Sequence, residues 1–265
     1  MRSSTAILGL LSLAAVSPLS AQTIDYEVVE TDADHFLDGG ERSLPFRWEQ
    51  PVPAAPIPQG LAAYGPFRVL DEGRAALVDA TDSRSPAQFV AMLRDHPDIA
   101  EIEMVECPGT EDDLANLRLG RMIRQRDIAT HVPEGGSVRS GGVELFLAGA
   151  RRYADPGAEF AVHSWKDNTG LEAGDYSASA PENRRYLEYY KQMGMSPIEA
   201  EAFYAMTNSV PFESAKWFGT GTMGLWVNLD RAPDRVMPEN RAANLAYRDV
   251  SSLTLAYTSS NGPRL

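Results

Sequence analysis

The chain has 265 residues, of which 43% are hydrophobic, and a formal net charge of −13 at pH 7. An acidic surface repels phosphate backbones and anionic lipid, which argues against a nucleic-acid-binding protein. Cys107 is the only cysteine, so an intramolecular disulfide is excluded, and the four histidines are too far apart in sequence to form a metal-ligand motif. We therefore expect no metal, no cofactor and a fold that depends on its core.

The first 21 residues have the pattern of a secretory signal peptide. Arg2 precedes the apolar segment AILGLLSLAAV, Pro18 interrupts it, and small residues follow up to Gln22. The apolar part is about half of the ~20 residues that a membrane-spanning helix needs. We expect cleavage before Gln22 and an exported chain, periplasmic or secreted, with no membrane span after cleavage.

Composition divides the remaining chain into three parts. Residues 22–62 are acidic and then proline-rich, which predicts an arm or linker. Residues 63–230 have the periodic apolar pattern of a folded domain. Residues 231–265 form a C-terminal extension to which we assign no role.

Short apolar runs of strand length alternate with amphipathic segments from residue 75 onwards. The pattern predicts strands at 75–80, 99–106, 128–132 and 158–165, and helices that begin at Ser85, near Thr110, near Ser140, near Glu182 and at Ser196. Strands that alternate with helices across short connections predict a mainly parallel sheet flanked by helices.

Two of these helices have a capping-box pattern with proline in the first turn. Ser85 would cap the first helix together with Gln88, and Ser196 would cap the last together with Glu199. The predicted buried face of the first helix consists of Phe89, Val90 and Leu93.

Two loops lead from predicted strands into helix starts. They are ECPGT, residues 106–110, and EGGSVRSGG, residues 134–142. In open α/β sheets such loops form the ligand-binding crevice, and helix N-termini there direct N–H groups towards an anion. This arrangement suits an oxyanion.

Ser140, at the end of the second loop, has two interpretations that do not exclude each other. Serine is a preferred helix N-cap, so its hydroxyl is expected to cap the helix in the simpler interpretation. In the other, Ser140 is a nucleophile, the Gly141 N–H donates to the oxyanion, and His163 at the end of strand 158–165 is the general base.

The order of these segments resembles a known family. AALVDATDSRSPAQFVAMLRDHPDIAEIEMVECPGT, the loop with Ser140 and GARRYADPGAEFAVHSW resemble the Clp protease proteolytic subunit of the ClpP/crotonase superfamily, and most closely its small exported bacterial relatives. The resemblance covers roughly residues 65–228. It implies a ClpP/crotonase-like spiral of repeated β-β-α and βαβ units, a mainly parallel sheet flanked by helices, a peptide or protein substrate, and a homo-oligomer.

The resemblance also implies roles for individual residues. Ser140 stands where the family's proteases have their nucleophile, and His163 where they have the general base. Pro108-Gly109-Thr110 replaces a proline and two glycines, so the N–H groups of Thr110 and Gly141, beside Gly109, would form the oxyanion hole.

Besides Thr110 in place of a glycine, two further features depart from the family pattern. The segment NSVPFESAKWFGTGTMGL, where the family's catalytic acid belongs, contains no aspartate, and the substitutes to consider are Asn208, Glu213 and Asp167. Acidic side chains also crowd the first loop, and they would oppose a developing oxyanion if they faced the cleft. These side chains are Glu106, Glu111, Asp112 and Asp113.

The sequence therefore predicts an exported serine hydrolase, specifically a peptidase. The alternative is a catalytically silent ClpP-like protein that binds a partner through the cleft or the acidic arm. A crotonase-like acyl-thioester enzyme is a third interpretation, against which the exported location argues.

Overall fold

The computed structural model describes the main chain of residues 27–30 and all of residues 52–231. The interpretations of residues 1–21, of the rest of the arm and of the extension after Arg231 lie outside these ranges. No helix within the described ranges is long and apolar enough to cross a membrane.

Eleven strands, six α-helices and one short 3-10 helix (Ala173–Asp175) make up the described fold. The strands are β1 (Glu27–Glu30), β2 (Ala62–Tyr64), β3 (Phe67–Val69), β4 (Arg74–Leu77), β5 (Glu101–Met104), β6 (Glu106–Cys107), β7 (Ala129–Val132), β8 (Ser137–Arg139), β9 (Arg152–Ala154), β10 (Glu159–Val162) and β11 (Ser214–Gly219). The helices are α1 (Ser85–Asp95), α2 (Asp113–Gln125), α3 (Gly141–Ala148), α4 (Pro181–Gln192), α5 (Pro197–Thr207) and α6 (Thr220–Trp226).

The strands form two sheets rather than the single sheet expected. The first has the order β2-β3-β4-β5-β7-β9, with parallel pairing from β4 to β9. The second has the order β1-β11-β10-β8-β6, in which β6, β8 and β10 are parallel and β11 and β1 are antiparallel. The fold is thus a mixed α/β structure with sheets of mostly parallel strands flanked by helices.

The predicted strand 99–106 is divided between the two sheets at Val105. The Val105 N–H donates to Leu77 O in the first sheet at 3.0 Å, and the Val105 carbonyl accepts from Ser137 N at 3.0 Å beside the second. The chain therefore passes from one sheet to the other within a continuous apolar run, which brings the loop after Cys107 next to the start of α3.

Helix starts follow the prediction in one case and not in the other. Ser196 and Glu199 form the expected capping box of α5, with Ser196 Oγ accepting from Glu199 N at 3.3 Å. The box predicted at Ser85 is wrong. Ser85 is the first residue of α1 rather than its cap, and its N–H donates to the Asp82 carboxylate at 3.0 Å.

The predicted face of α1 also needs a correction. Phe89 and Leu93 are buried in the core, but Val90 is 50% exposed. Its place on the helix surface turns it away from the sheet.

Helix α3 is buried on all sides in the centre of the fold. Every residue from Gly141 to Ala148 is buried, and Phe146 packs against Phe160 of β10 with 5.0 Å between ring centroids. A helix whose residues are nearly all apolar is stable only in such a position. The core thereby fixes the start of α3, where Ser140 lies.

Candidate active site

A cavity of about 490 Å³ lies beside the start of α3. Ser140, Gly141, Thr110 and His163 all line it. The structure thus brings together four residues that the sequence singled out from three separate segments. Gly109 is not among the lining residues; with φ of 140°, it turns the chain just before Thr110.

Ser140 forms a sharp turn between β8 and α3. Its φ is 47° and its ψ is −128°, and its N–H donates to Ala161 O at 2.9 Å. The hydroxyl makes no capping hydrogen bond, so the capping interpretation of this side chain is wrong. Positive φ is strained for serine, and such strand-to-helix turns are known for exposing nucleophiles.

The Thr110 N–H points away from its neighbouring strand segment. Thr81 donates to Gly109 O at 3.1 Å and accepts from Glu111 N at 2.8 Å, as one residue does across a parallel bridge. The N–H and carbonyl of Thr110 itself therefore face the opposite edge. In the described part of the chain no acceptor takes up this N–H.

Gly141 supplies the second free amide. Its N–H is the first of α3 and has no intrahelical acceptor. A Cβ at Gly141 would lie 2.6 Å from Thr110 Cγ2, so only glycine allows the two residues to approach this closely. The Thr110 side chain is thus accommodated beside Gly141.

Asn116 links Gly141 to Thr81, the residue that bridges Thr110, and sequence reasoning missed it. Its Nδ2 donates to Gly141 O at 2.7 Å, and its Oδ1 accepts from Thr81 Oγ1 at 2.9 Å. The residue is buried in the interior of α2. An amide on the buried side of a helix was the available signal, because a buried polar group needs specific partners.

His163 follows β10 and packs its ring edge-on against Phe212. Its Nδ1 lies 2.8 Å from Ser164 O, and since a carbonyl only accepts, Nδ1 carries the proton. The lone pair is therefore on Nε2. Burial lowers the pKa of His163 to about 4, against the opposing effects of the Ser164 carbonyl and the Glu213 charge, so the ring is neutral at pH 7.

No hydrogen bond joins Ser140 Oγ to the His163 ring within the described residues. The contact between a nucleophile and its base is commonly long without substrate and tightens when substrate binds. The two groups line the same cavity, which is the arrangement that such tightening requires.

The three proposed substitutes for the catalytic acid have other contacts. Asn208 Nδ2 donates to Tyr204 O at 2.7 Å, and Glu213 pairs with Lys166 at 2.5 Å. Asp167 accepts from the N–H groups of Thr169 at 2.8 Å and Leu171 at 3.0 Å, which closes a turn. The described acceptor of the His163 Nδ1 proton is thus the Ser164 carbonyl.

The acidic side chains of the first loop are mostly engaged. Glu106 forms an ion pair with the buried Arg139, and Asp112 caps α2 by accepting from Ala115 N at 2.9 Å. Tyr186 donates to Asp113 at 2.8 Å. Glu111, Asp112 and Asp113 nonetheless line the cavity, so their negative charge remains close to the two free amides.

Glu144 is a further cavity residue that the sequence interpretation did not identify. It lies on α3 with 8% of its surface exposed, and Tyr190 donates to its Oε1 at 2.7 Å. Burial raises the pKa of Glu144 to about 7; the Tyr190 hydrogen bond opposes this rise, and the Asp113 charge adds to it. The signal was a single glutamate inside the apolar run GGVELFLA.

One group of possible metal ligands lies elsewhere, on β5 and β7. Atoms of Glu101, Glu103 and His131 lie within 4.8 Å of one another. Arg74 pairs with Glu103 at 3.2 Å, and Asp155 lies 3.0 Å from His131 Nε2. We interpret the group as an ion-pair network, which parallel pairing assembles from residues distant in sequence.

No protein-family model matches the chain, and no curated protein matches it. Among solved structures, it is similar to a mutant of the 1510-N membrane-bound stomatin-specific protease in complex with a substrate peptide. The identity is 15% and the TM-score 0.43, over 61% of this chain and 74% of that chain. The likeness is limited to the coarse fold.

Proposed function

We propose that the chain is an exported serine hydrolase that cleaves peptides. Ser140 is the nucleophile, His163 is the general base, and the N–H groups of Thr110 and Gly141 form the oxyanion hole. Export follows from the signal-peptide pattern of residues 1–21.

The observation that carries this proposal is the conformation of Ser140. A non-glycine residue at positive φ costs about 1–3 kcal/mol, and such strain is retained mainly where function needs it. The strained turn does not use the hydroxyl as a cap, and the residue lines the cavity that His163 also lines.

The proposed reaction follows from these positions. Ser140 Oγ attacks the peptide carbonyl carbon while its proton passes to His163 Nε2, and the N–H groups of Thr110 and Gly141 stabilise the oxyanion. His163 then gives the proton to the leaving amine as the C–N bond breaks. Water hydrolyses the acyl-enzyme by the same route in reverse.

The Ser164 carbonyl orients His163 in place of a carboxylate. It fixes the tautomer in which Nε2 accepts a proton, but it supplies no full negative charge to stabilise the imidazolium. We therefore expect slower turnover than an aspartate-containing triad achieves.

Peptides fit the site because the segment that follows β6 has open backbone groups at Thr110. The chain continues from β6 to Thr110, whose N–H and carbonyl face away from Thr81. An extended peptide can pair with such an open edge, which would bring its carbonyl to the oxyanion hole.

A fluorophosphonate probe tests the proposal on the purified mature chain, with mass mapping of the adduct. We expect modification of Ser140 alone, its loss in Ser140→Ala, and labelling at least about 100-fold slower in His163→Ala. Ser177→Ala and His96→Ala, which change the same residue types outside the cavity, should label normally.

A folded wild-type chain that does not react with the probe would overturn the hydrolase proposal. It would instead favour the catalytically silent binding protein. Circular dichroism of each variant separates loss of reactivity from loss of folding.

A further inference from the structure

Glu144 lies one helical turn after Ser140 and lines the same cavity. Residues four apart share a helix face, and one turn advances about 5.4 Å along the axis. The four-carbon stem of a lysine spans a comparable distance. Tyr190 holds the carboxylate at one oxygen, at 2.7 Å.

The charged groups around Glu144 are predominantly acidic. Glu111, Asp112, Asp113 and Asp167 also line the cavity, against two basic residues, Lys166 and Arg185. Lys166 is already paired with Glu213 at 2.5 Å. The Arg185 guanidinium lies over the rings of Trp165 and Tyr186, at 5.4 and 5.3 Å from their centroids.

A second acceptor lies in the same cavity wall. Asn208 Oδ1 is buried, and no residue in the described part of the chain donates to it. The other end of the Asn208 amide is fixed, because Nδ2 donates to Tyr204 O at 2.7 Å and to Thr207 Oγ1 at 3.1 Å. A buried acceptor is costly unless a donor pairs with it.

We propose that Glu144 and Asn208 bind the ammonium or guanidinium group of a substrate lysine or arginine, whose carbonyl Ser140 attacks. This inference rests on the proposed function and names its substrate class. A cation with several N–H donors satisfies both the carboxylate and the amide oxygen. Neutral apolar side chains satisfy neither, and acidic side chains meet like charge.

The pH dependence of binding follows from burial of the carboxylate. Burial raises the pKa of Glu144 to about 7, so its negative charge grows as pH rises through neutrality. Preference for a basic side chain over an isosteric neutral one should grow over the same range.

Peptidyl diphenyl phosphonates test the inference, with lysine, arginine, norleucine or glutamate side chains next to phosphorus. In the reaction Ser140 Oγ bonds to phosphorus, one phenoxide leaves, and the hydroxyl proton passes through His163 to the phenoxide. We expect lysine and arginine probes to label Ser140 about tenfold faster than norleucine near pH 8.5, with a smaller ratio near pH 5.5.

Glu144→Gln should reduce the lysine-to-norleucine ratio to within about threefold, because glutamine is isosteric and uncharged. The ratio compares two probes in the same variant, so loss of folding cannot imitate this result. Glu188→Gln, an exposed change of the same chemistry outside the cavity, should keep the wild-type ratio. A norleucine preference, or a lysine preference that survives Glu144→Gln, would overturn the inference while fluorophosphonate labelling leaves the hydrolase proposal standing.

Benzamidine tests the subsite without the reaction. We expect it to bind the wild-type chain at least about tenfold more tightly than neutral benzamide does, and Glu144→Gln to remove the difference, as measured by calorimetry. Equal affinities would overturn the subsite even in a protein that labels at Ser140. Selective benzamidine binding without any labelling would support a cation site in a protein that is not a hydrolase.

Discussion

Ser140 adopts a backbone conformation that costs serine more than glycine. Its φ of 47° belongs to the left-handed half of the backbone map, which glycine enters without a Cβ penalty. The fold retains serine there although glycine would relieve the strain, which is consistent with a need for the hydroxyl. The strain at Ser140 can therefore be measured as a difference in unfolding free energy, separately from catalysis.

We predict that Ser140→Gly unfolds with a free energy about 1 kcal/mol higher than Ser140→Ala, because only alanine retains a Cβ at positive φ. Urea unfolding followed by tryptophan fluorescence measures the difference. Ser177, which has no positive φ, provides the control: there glycine should be no more stable than alanine. An equal or reversed order at Ser140 would contradict the strain that carries the proposed function.

Residue positions in the site were only partly predictable from sequence. Ser140 and His163 are predicted because loops before helices and strand ends face one crevice, and both residues line the same cavity. The sequence does not indicate a site role for Glu144, because the apolar run around it predicts only a core helix. The role of Asn116 could not be predicted either, because its partners, Thr81 and Gly141, come close to it only through tertiary packing.

At the level of elements, α2 stabilises the loop and the helix start that carry the two free amides. Asn116 of α2 is the direct connection, since its amide bonds to Gly141 O and Thr81 Oγ1. Because Thr81 in turn bridges Thr110, α2 helps to hold the segments of the two predicted oxyanion donors beside each other. A substitution of Asn116 should therefore affect the reaction only by moving the predicted oxyanion donors.

Asn116→Asp should lower both stability and labelling. A carboxylate has no N–H for the Gly141 carbonyl and meets it as a second acceptor, so we expect a loss of about 1–3 kcal/mol in unfolding free energy. Fluorophosphonate labelling of Ser140 should slow by about tenfold or more in the folded fraction. Gln125→Glu, an exposed amide-to-acid change on the same helix, should change neither by more than about 0.5 kcal/mol or twofold.

A normal labelling rate in a destabilised Asn116→Asp protein would show that Asn116 supports the fold without positioning the amides. Circular dichroism at the labelling temperature defines the folded fraction.

Strands with a clear apolar pattern were predictable, and short or charged ones were not. The apolar runs of β4, β5, β7 and β10 predict strands, whereas β8 falls in a predicted loop and no sequence pattern predicts β11. Arg139 in β8 and Lys216 in β11 are each 1% exposed, so buried charges interrupt the hydrophobic pattern of both strands. The division of the predicted strand 99–106 at Val105 could not be predicted, because it depends on two hydrogen-bond partners from distant parts of the chain.

In the molecule as a whole, two buried titratable groups of the cavity make the unfolding free energy depend on pH in opposite directions. The pKa of His163 falls from 6.5 to about 4 and that of Glu144 rises from 4.5 to about 7, in both cases mainly through burial. Each displacement corresponds to about 3 kcal/mol between the folded and unfolded states. The two effects overlap in pH and largely cancel.

The signs follow from the protons bound in each state. The unfolded chain protonates His163 below pH ~6.5 while the folded chain does so only near pH 4, so this residue lowers stability as pH falls through that window. The folded chain keeps Glu144 protonated up to about pH 7 while the unfolded chain releases the proton near 4.5, so this residue lowers stability as pH rises.

Single substitutions should reveal how the unfolding free energy changes with pH at each of the two residues. Relative to wild type, Glu144→Gln should gain up to about 3 kcal/mol in unfolding free energy as pH rises from about 4.5 to 7, and His163→Gln should gain a similar amount as pH falls from about 6.5 to 4. Urea midpoints at half-unit pH steps measure both profiles. Glu188→Gln removes an exposed carboxylate whose pKa is lowered by its hydrogen bond with Lys191, so it should give only a small slope, opposite in sign to that of Glu144→Gln. A flat profile for Glu144→Gln would mean that its carboxylate is ordinarily hydrated and would remove the physical reason for selecting a cation. A rising profile would mean that the fold tolerates an unpaired buried charge at neutral pH, a cost that a basic substrate would offset on binding.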